Sequence, residues 1–297
     1  MHEHEVNTSE DLVQRLLDLQ FPEYAHLPLK HLESSGTDHR MYRLGEDLVV
    51  RLPKVSWATP QMGKEHHWLP RLAPHLPLTI PTPVAQGVPA EGYPWNWSIY
   101  KWIEGENATL DRMSDSCQTA RKLAEFVLAL QSIDPTGGPL PGDHNFGRGV
   151  PLQMRDGMTR HNISQLEGWF DVQALTDAWE RALNAPVWEG EGVWLHGDLQ
   201  AGNLLAKNGT LHAVIDFGGL AIGDPACDLM VAWNLFDAKS RQVYRQALGV
   251  DNATWERGKG WALSVAVVAL PYYRHTNPGL VAISEYALQQ VLADAET

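Results

Sequence analysis

The pattern of apolar and polar residues divides the chain into a β-rich first part and a mainly helical second part. Short apolar runs between turn residues predict strands within residues 31–53, and at residues 84–88 and 97–103. Helical spacing predicts an amphipathic helix after Ser9 and one central helix at residues 61–75. We therefore expect a small β-rich lobe with one central helix.

The pattern changes at Glu-Gly-Glu-Asn, residues 104–107, which we interpret as a hinge. A strand-like stretch follows at residues 193–216, among helices that we predict at residues 114–133, 155–169, 172–183, 225–236, 239–248, 253–273 and 279–295. We thus expect an α+β protein with an N-terminal lobe at residues 1–103 and a larger, mainly α-helical lobe at residues 104–297.

Composition indicates a folded protein, because 297 residues that are 44% hydrophobic and 20% charged suffice for roughly two packed domains. The longest apolar run, residues 261–270, is too short to span a bilayer. The polar, acidic N-terminus is neither a secretory signal nor a transit peptide. Two cysteines cannot form a disulfide framework. We therefore expect a cytoplasmic protein without a membrane partner.

The net charge of −13 disfavours nucleic acid as a partner, because such binding depends on cations that neutralise phosphates. An acidic surface favours a cationic substrate, but it also simply keeps a protein soluble, and both interpretations stay open. The sequence contains no His-Glu-x-x-His zinc pattern. A monomer and a homodimer are equally compatible with it.

Two motifs in the strand-like stretch carry the clearest chemistry. The first is His-Gly-Asp-Leu-Gln-Ala-Gly-Asn, from His196 to Asn203, and the second is Asp-Phe-Gly, from Asp216 to Gly218. Their order and internal spacing match the phosphoryl-transfer signature of protein kinases. Asp198 is therefore the candidate base that takes the proton of the acceptor. Asn203 and Asp216 supply oxygen, the ligand that Mg²⁺ prefers.

Arg51 ends the apolar run Leu-Val-Val-Arg, where kinases have a Lys that contacts phosphates. A guanidinium can bridge two phosphate oxygens, and Glu65, 14 residues later, is the partner that would orient it. The alternative is an ordinary strand-end Arg and a surface Glu. Lys54 and Lys64 are further candidates for the phosphate contact.

The turn Ser-Ser-Gly-Thr-Asp is the candidate nucleotide-covering loop, through Ser34, Ser35 and Gly36. It has one glycine where kinases have three, but backbone N–H groups and hydroxyls can still bind phosphate. An ordinary β-turn is the alternative. Downstream, we expect Asp228 to reach back and hold the catalytic loop, with His196 as a second support.

These motifs, with the downstream Gly-Asp-Pro-Ala-Cys-Asp-Leu, resemble the aminoglycoside phosphotransferase family, a branch of the kinase-like fold. The stretch from Gly-Thr-Asp-His-Arg to Val-Val-Arg-Leu-Pro and the hinge Tyr-Lys-Trp-Ile-Glu-Gly-Glu resemble it too. The resemblance implies a bilobal protein-kinase-like fold with ATP or GTP between the lobes. It also implies recognition of the nucleotide base by the hinge backbone near Lys101 and Ile103, Asp198 as base, and Mg²⁺ on Asn203 and Asp216.

Two departures from protein kinases indicate a small-molecule kinase. Gln200 stands two residues after the catalytic Asp, where protein kinases carry Lys. Only five residues separate Gly218 from Asp224, which leaves no room for a phosphorylatable activation loop. Within the family, His39 stands where Asn is frequent.

We therefore hypothesise transfer of the γ-phosphate of ATP or GTP to a hydroxyl of a small molecule, with an aminoglycoside-type antibiotic as the acceptor that the family implies. Macrolides and metabolites such as choline, homoserine or a sugar are alternative acceptors. A kinase-like nucleotide-binding protein without catalysis is an alternative of another class. Candidate acceptor-binding carboxylates, each otherwise an ordinary surface residue, are Asp143, Asp156, Glu167 and Asp237.

Overall fold

The β-rich part of the chain folds into a five-stranded sheet with the order β1-β2-β3-β5-β4, in which all neighbours are antiparallel. The computed structural model describes residues 5–6, 8–32 and 38–294. The strands of the sheet are β1 (Leu29–Leu32), β2 (His39–Leu44), β3 (Leu48–Pro53), β4 (Pro83–Gly87) and β5 (Trp97–Lys101).

Alternation of side chains along β3 separates an apolar face of this sheet from a polar one. Val50 and Leu52 pack in one core cluster with the buried residues of α1 (Glu10–Gln20), which is followed by the short α2 (Pro22–Ala25). Arg51 points to the opposite face, where α3 (Thr59–Leu72) contacts β4 and β5. The sheet therefore buries a cation against the central helix.

The second lobe contains α4 (Ser116–Gln131), α5 (Asp156–Ser164), α6 (Val172–Asn184), α7 (Val231–Asn234), α8 (Ala238–Leu248), α9 (Asn252–Tyr273) and α10 (Pro278–Ala293). Its strands are β6 (Glu106–Asn107), β7 (Val193–Leu195), β8 (Leu204–Lys207), β9 (Thr210–Val214) and β10 (Ala221–Gly223). They form the pair β10-β7 and the small sheet β6-β8-β9, which share a second core with the helices. The expected α+β organisation, with a β-rich first lobe and a larger, mainly helical second lobe, is thus confirmed.

The two lobes meet at residues 102–105, because β5 belongs to the first sheet and β6 already pairs with β8. We propose the boundary between residues 103 and 104 on this basis. In the part of the chain that the structure describes, no helix has the length and apolar character needed to cross a bilayer.

Three predicted helix boundaries are wrong. Asp115, not Ser114, caps α4, because its carboxylate accepts the N–H groups of the first helical turn while the Ser114 N–H donates to Gly209. The helix predicted to residue 169 ends at Ser164. The helix predicted at 225–236 is a 3₁₀ helix, Pro225–Met230, followed by α7. The predicted end of the last helix, residue 295, lies outside the described residues.

Candidate active site

The His-Gly-Asp motif lies in the loop after β7, and a buried carboxylate fixes its backbone. Asp228 is fully buried and accepts the N–H of His196 at 2.8 Å and of Gly197 at 2.7 Å. Burial raises the pKa of Asp228 above its ordinary value, although the two N–H donors partly offset this rise. Gly197 has φ +81°, and a Cβ there would lie 2.5 Å from the Gly219 oxygen, so the turn requires glycine.

The imidazole of His196 joins the two motifs. Its Nε2 lies 3.0 Å from the carbonyl oxygen of Ile215, which precedes the Asp-Phe-Gly motif, and must donate because a carbonyl only accepts. Its Nδ1 accepts the N–H of Asp198 at 3.2 Å. These two partners define the neutral tautomer with hydrogen on Nε2. His196 therefore sets the distance between the catalytic loop and the Asp-Phe-Gly motif.

The carboxylate of Asp198 is oriented from one side and open on the other. Asn203 Nδ2 donates to its Oδ2 at 2.9 Å and to its main-chain oxygen at 2.8 Å, and Gln200 Nε2 donates to Oδ2 at 3.1 Å. Oδ1 accepts no hydrogen bond from a described residue, although Arg148 Nη2 lies 3.6 Å away. The Asp198 side chain is 34% exposed, and Oδ1 is its oxygen without a donor among the described residues.

A tight hairpin brings Asn203 and Asp216 together. Asn208 and Gly209 connect β8 to β9 with φ of +53° and +72°, as a two-residue type I′ turn requires. Asn203 immediately precedes β8, and its carbonyl accepts the Ile215 N–H at 2.9 Å. Asp216 itself has φ +62°, an uncommon conformation outside glycine that is frequent at functional sites.

Arg51 connects the two lobes at this point. Its Nη1 donates to both carboxylate oxygens of Glu65 at 2.9 Å, and its Nη2 donates to Asp216 Oδ1 at 2.9 Å. Tyr100 also donates to Glu65, at 2.5 Å. The expected Arg51–Glu65 ion pair is therefore present, and it extends to the Asp-Phe-Gly motif.

The charges of this group determine its protonation. Burial would raise the pKa of Asp216, but opposing interactions, chiefly with the guanidinium of Arg51, outweigh this and lower the pKa to about 2. Burial would lower the pKa of Arg51, but Glu65 and Asp216 raise it instead. His39 Nδ1, 3.2 Å from Arg51 Nη2, has its pKa lowered well below the ordinary value by burial and by Arg51. The group therefore carries an ionised Asp216 and a charged Arg51.

The other two cations considered for the phosphate contact have partners elsewhere. Lys54 Nζ forms an ion pair with Glu5 Oε1 at 3.9 Å. Lys64 donates to the carbonyl oxygens of Gly218 at 2.6 Å and Leu220 at 3.1 Å, and to His144 Nδ1 at 3.2 Å. Burial lowers the pKa of Lys64 to about 8. Both cations thus bind protein groups in this structure.

The residues that the sequence predicts to bind nucleotide differ in their availability. Ser34, Ser35 and Gly36 lie outside the described residues. The N–H of Lys101 donates to Thr82 at 2.9 Å, and its side chain is exposed. The backbone of Ile103 makes no hydrogen bond to a described residue, so it is available at the connection between the lobes.

The four candidate acceptor carboxylates are not joined to the catalytic loop by any hydrogen bond or ion pair among the described residues. Asp143 and Glu167 are exposed. Asp156 accepts from Arg160 and Trp179, and Asp237 caps α8. Asp237 also lines a cavity of about 470 Å³ at the first turn of α4.

Sequence reasoning missed Arg148, the cation beside Asp198. It lies in the glycine- and proline-rich stretch between α4 and α5, where no periodic pattern or motif distinguishes it. Only the folded chain brings it to a residue 50 positions away in the sequence.

Comparison with known proteins identifies the family. The model of the phosphotransferase enzyme family matches residues 32–261, and the chain belongs to this family. Among curated protein sequences, none matches the chain. The expected relationship to the aminoglycoside phosphotransferases is thus confirmed.

Solved structures share the fold over nearly the whole chain. The GDP and kanamycin complex of APH(2")-IIia has a TM-score of 0.74 at 21% identity, covering 95% of this chain and 98% of the other. The streptomycin and ATP complex of APH(2")-IIa has a TM-score of 0.63 at 21% identity, covering 96% and 98%. Macrolide 2'-phosphotransferase MphH from Brachybacterium faecium has a TM-score of 0.60 at 25% identity, covering 95% and 98%. The protein is a small-molecule phosphotransferase with a kinase-like fold.

Proposed function

We propose that the protein transfers the γ-phosphate of ATP or GTP, with Mg²⁺, to a hydroxyl of a small molecule. The observation that carries this proposal is the connected group of Asp198, Asn203, Asp216 and Arg51 at the junction of the lobes. Phosphoryl transfer requires positioning and charge neutralisation more than covalent help, and this group combines a base with a cation.

The chemistry assigned to Asp198 is proton removal from the acceptor. The acceptor oxygen forms a bond to the γ-phosphorus while the bond to the β,γ-bridging oxygen breaks, and that electron pair leaves with the nucleoside diphosphate. The hydroxyl proton passes to Oδ1 of Asp198. Gln200 and Asn203 hold Oδ2, which keeps Oδ1 directed at the acceptor.

Asn203 and Asp216 fit a magnesium ion. Asp216 is ionised, and Asp216 Oδ2 and Asn203 Oδ1 accept no hydrogen bond from a described residue. The described residues contain no cluster of three or more His, Cys, Asp or Glu that could hold a metal alone. Two protein oxygens completed by nucleotide phosphates suit Mg²⁺, which when bound neutralises phosphate charge.

The hinge backbone is the proposed site for the nucleotide base. Ile103 fits this position because its backbone groups have no partner among the described residues, whereas the Lys101 N–H is already bound to Thr82. Structures with this fold have been solved with GDP and with ATP, so both purines are candidates.

An aminoglycoside-type antibiotic is the first candidate acceptor. A polycation suits a protein of net charge −13, and the similar structures include complexes with kanamycin and streptomycin. A macrolide is the second candidate, since the chain is 25% identical to a macrolide 2'-phosphotransferase.

An acceptor screen tests the proposal. Purified protein is incubated with Mg²⁺ and ATP or GTP against aminoglycosides, macrolides and small alcohols, and phosphorylated products are identified by mass. The matched control is Asp198→Asn, which should lose about 10²–10⁴-fold in turnover but bind nucleotide as well as the wild type. If nucleotide binds and no alcohol is phosphorylated, the non-catalytic alternative is supported. If Asp198→Asn keeps a tenth of the turnover with chemistry rate-limiting, the base is assigned wrongly.

A further inference from the structure

Arg148 is fixed beside the catalytic loop by its own backbone. Asn145 Nδ2 donates to the Arg148 carbonyl at 2.9 Å and to Gly219 at 3.2 Å, so this loop is tied to the segment that follows Asp216. The guanidinium reaches to 3.6 Å from Asp198 Oδ1, with 15% of the side chain exposed. It therefore lies next to the oxygen at which an acceptor hydroxyl would be deprotonated.

The guanidinium of Arg148 is incompletely satisfied. It donates no hydrogen bond to a described residue, and its Nη1 is buried without a partner. A buried cation of this kind is costly unless an anion balances it. Asp198 Oδ1 forms an ion pair with Arg148 Nη2 at 3.6 Å, a separation longer than a hydrogen bond, so the hydrogens of the guanidinium stay undonated.

A second arginine, Arg155, is buried in the same loop, close enough for the charge of Arg148 to affect its pKa. Arg155 donates only to neutral groups, Ser264 Oγ and the Phe146 carbonyl. Burial and the neighbouring Arg148 lower the pKa of Arg155 to about 10. Neither of the two arginines of this loop therefore donates a hydrogen bond to a carboxylate.

The other cations near the motifs contact groups other than Asp198. Arg51 binds two carboxylates, and Lys64 donates to two carbonyl oxygens and a histidine. Gln200, at the position where protein kinases carry Lys, is neutral and binds Asp198. Among the described residues, Arg148 is thus the cation that lies beside Asp198 and still has N–H groups free to donate.

We propose that Arg148 is a catalytic residue that contacts the transferred phosphoryl group and neutralises the charge on its equatorial oxygens. It supplies a cation on the Oδ1 side of Asp198 from a loop of the helical lobe, whereas the neutral Gln200 contacts Oδ2. Arginines supplied in this way stabilise the transition state of phosphoryl transfer. The inference rests on the proposed function, since it requires a γ-phosphate to be transferred at Asp198.

The test compares Arg148→Gln with wild type in nucleotide hydrolysis, which needs no identified acceptor, and in acceptor phosphorylation where the screen finds one. We expect kcat to fall about 10²–10³-fold and KM for nucleotide to stay within about threefold, because the ground-state nucleotide is held elsewhere. Binding of nucleoside diphosphate with aluminium fluoride should weaken, while binding of the diphosphate alone should not.

A charge transplant separates catalysis from folding. Gln200→Lys introduces a cation beside the same carboxylate, at the position where protein kinases carry Lys, so the double variant Arg148→Gln/Gln200→Lys should regain about tenfold in kcat over Arg148→Gln. Arg15→Gln, on an exposed surface pair with Glu91, is the matched control and should leave kcat unchanged. If Arg148→Gln does not fold, Arg148→Lys provides the same test, with about a tenfold loss expected because the two-pronged contact is lost.

The outcomes distinguish this inference from the proposed function. An active wild type and an Arg148→Gln variant within threefold of its kcat would overturn the assignment of Arg148 alone. Equal loss of diphosphate and aluminium fluoride affinity would overturn it too, because it indicates a structural effect. A wild type that neither binds nor hydrolyses nucleotide would refute the proposed function itself.

Discussion

Replacing Arg51 alone should destabilise the protein more than replacing Arg51 and Glu65 together. Glu65 is fully buried, and the Arg51 side chain is 10% exposed. In Arg51→Met the Glu65 carboxylate keeps only the hydroxyl of Tyr100 as a donor. Breaking a buried pair in this way costs about 3–5 kcal/mol of the free energy of unfolding, because a charge remains buried without a partner.

Glu65→Met and the double variant should each lower the free energy of unfolding by less than Arg51→Met does. In Glu65→Met the guanidinium of Arg51 keeps Asp216 as a partner at 2.9 Å. In Arg51→Met/Glu65→Met an apolar pair replaces both charges, so the double variant should recover about 2 kcal/mol of the loss in Arg51→Met.

The three variants should rank differently in nucleotide affinity than in stability. Arg51 is the proposed phosphate contact, and a hydrogen bond to a charged group contributes about 1.5–3 kcal/mol, or roughly ten- to a hundredfold in affinity. Arg51→Met and the double variant should therefore both lose that affinity. Glu65→Met should lose less, because the cation remains but is no longer oriented by the helix.

Urea denaturation and nucleotide titration of the four proteins provide the measurement. Arg15→Met is the matched control, since its pair with Glu91 is 52% and 39% exposed and should contribute at most about 1 kcal/mol. Additive stability losses would refute the coupling of Arg51 and Glu65. Recovery of nucleotide affinity in the double variant would refute the phosphate contact.

Three further predictions follow from the same site. Asp216→Ala should remove the Mg²⁺ dependence of nucleotide affinity, and an unchanged dependence in titrations with and without Mg²⁺ would contradict the ligand assignment. Asp228→Asn replaces one of two accepting oxygens with a donor, so it should cost about 1–3 kcal/mol and lower turnover, measured by urea denaturation and kinetics; wild-type turnover would show that the loop needs no such support. Lys64 has a pKa lowered to about 8 by burial, so between pH 8 and its ordinary value of 10.5 the folded state binds fewer protons than the unfolded state and the free energy of unfolding rises with pH. Lys64→Met should reduce this rise, and identical slopes for the two proteins would refute the assignment.

The sequence predicts those features of the site that depend on short separations. Asp198, Asn203 and Asp216 lie within 19 residues, around a hairpin whose Asn-Gly turn leaves little freedom. The Arg51–Glu65 pair was predictable as well, since an apolar strand that ends in a cation and a following helix with a carboxylate define the contact. Such features depend on local conformation and on the packing of elements that are neighbours in the sequence.

Long-range and competing local contacts escaped prediction for different reasons. Arg148 meets Asp198 only after the helical lobe has folded, and Lys64 meets Gly218 only after the two lobes have packed. No sequence pattern predicts either contact. At α4 two neighbouring residues can both cap a helix, and the structure has the Asp115 carboxylate as the cap while the Ser114 N–H donates to Gly209 in the hairpin turn. Propensity cannot rank these alternatives, because the decision depends on a distant segment.

The segment after Asp216 explains how a kinase-like protein would work without an activation loop. Its residues Ala221–Gly223 pair with β7, immediately before the catalytic loop, and Lys64 of the central helix donates to Gly218 and Leu220. In protein kinases, phosphorylation orders the activation loop that follows the Asp-Phe-Gly motif. In this chain, strand pairing and a lysine from the first lobe hold the corresponding segment instead. We infer that positions of the catalytic groups are fixed by folding alone. The chain should then phosphorylate its acceptor without a lag after mixing, and a slow activation phase in stopped-flow measurements would contradict this inference.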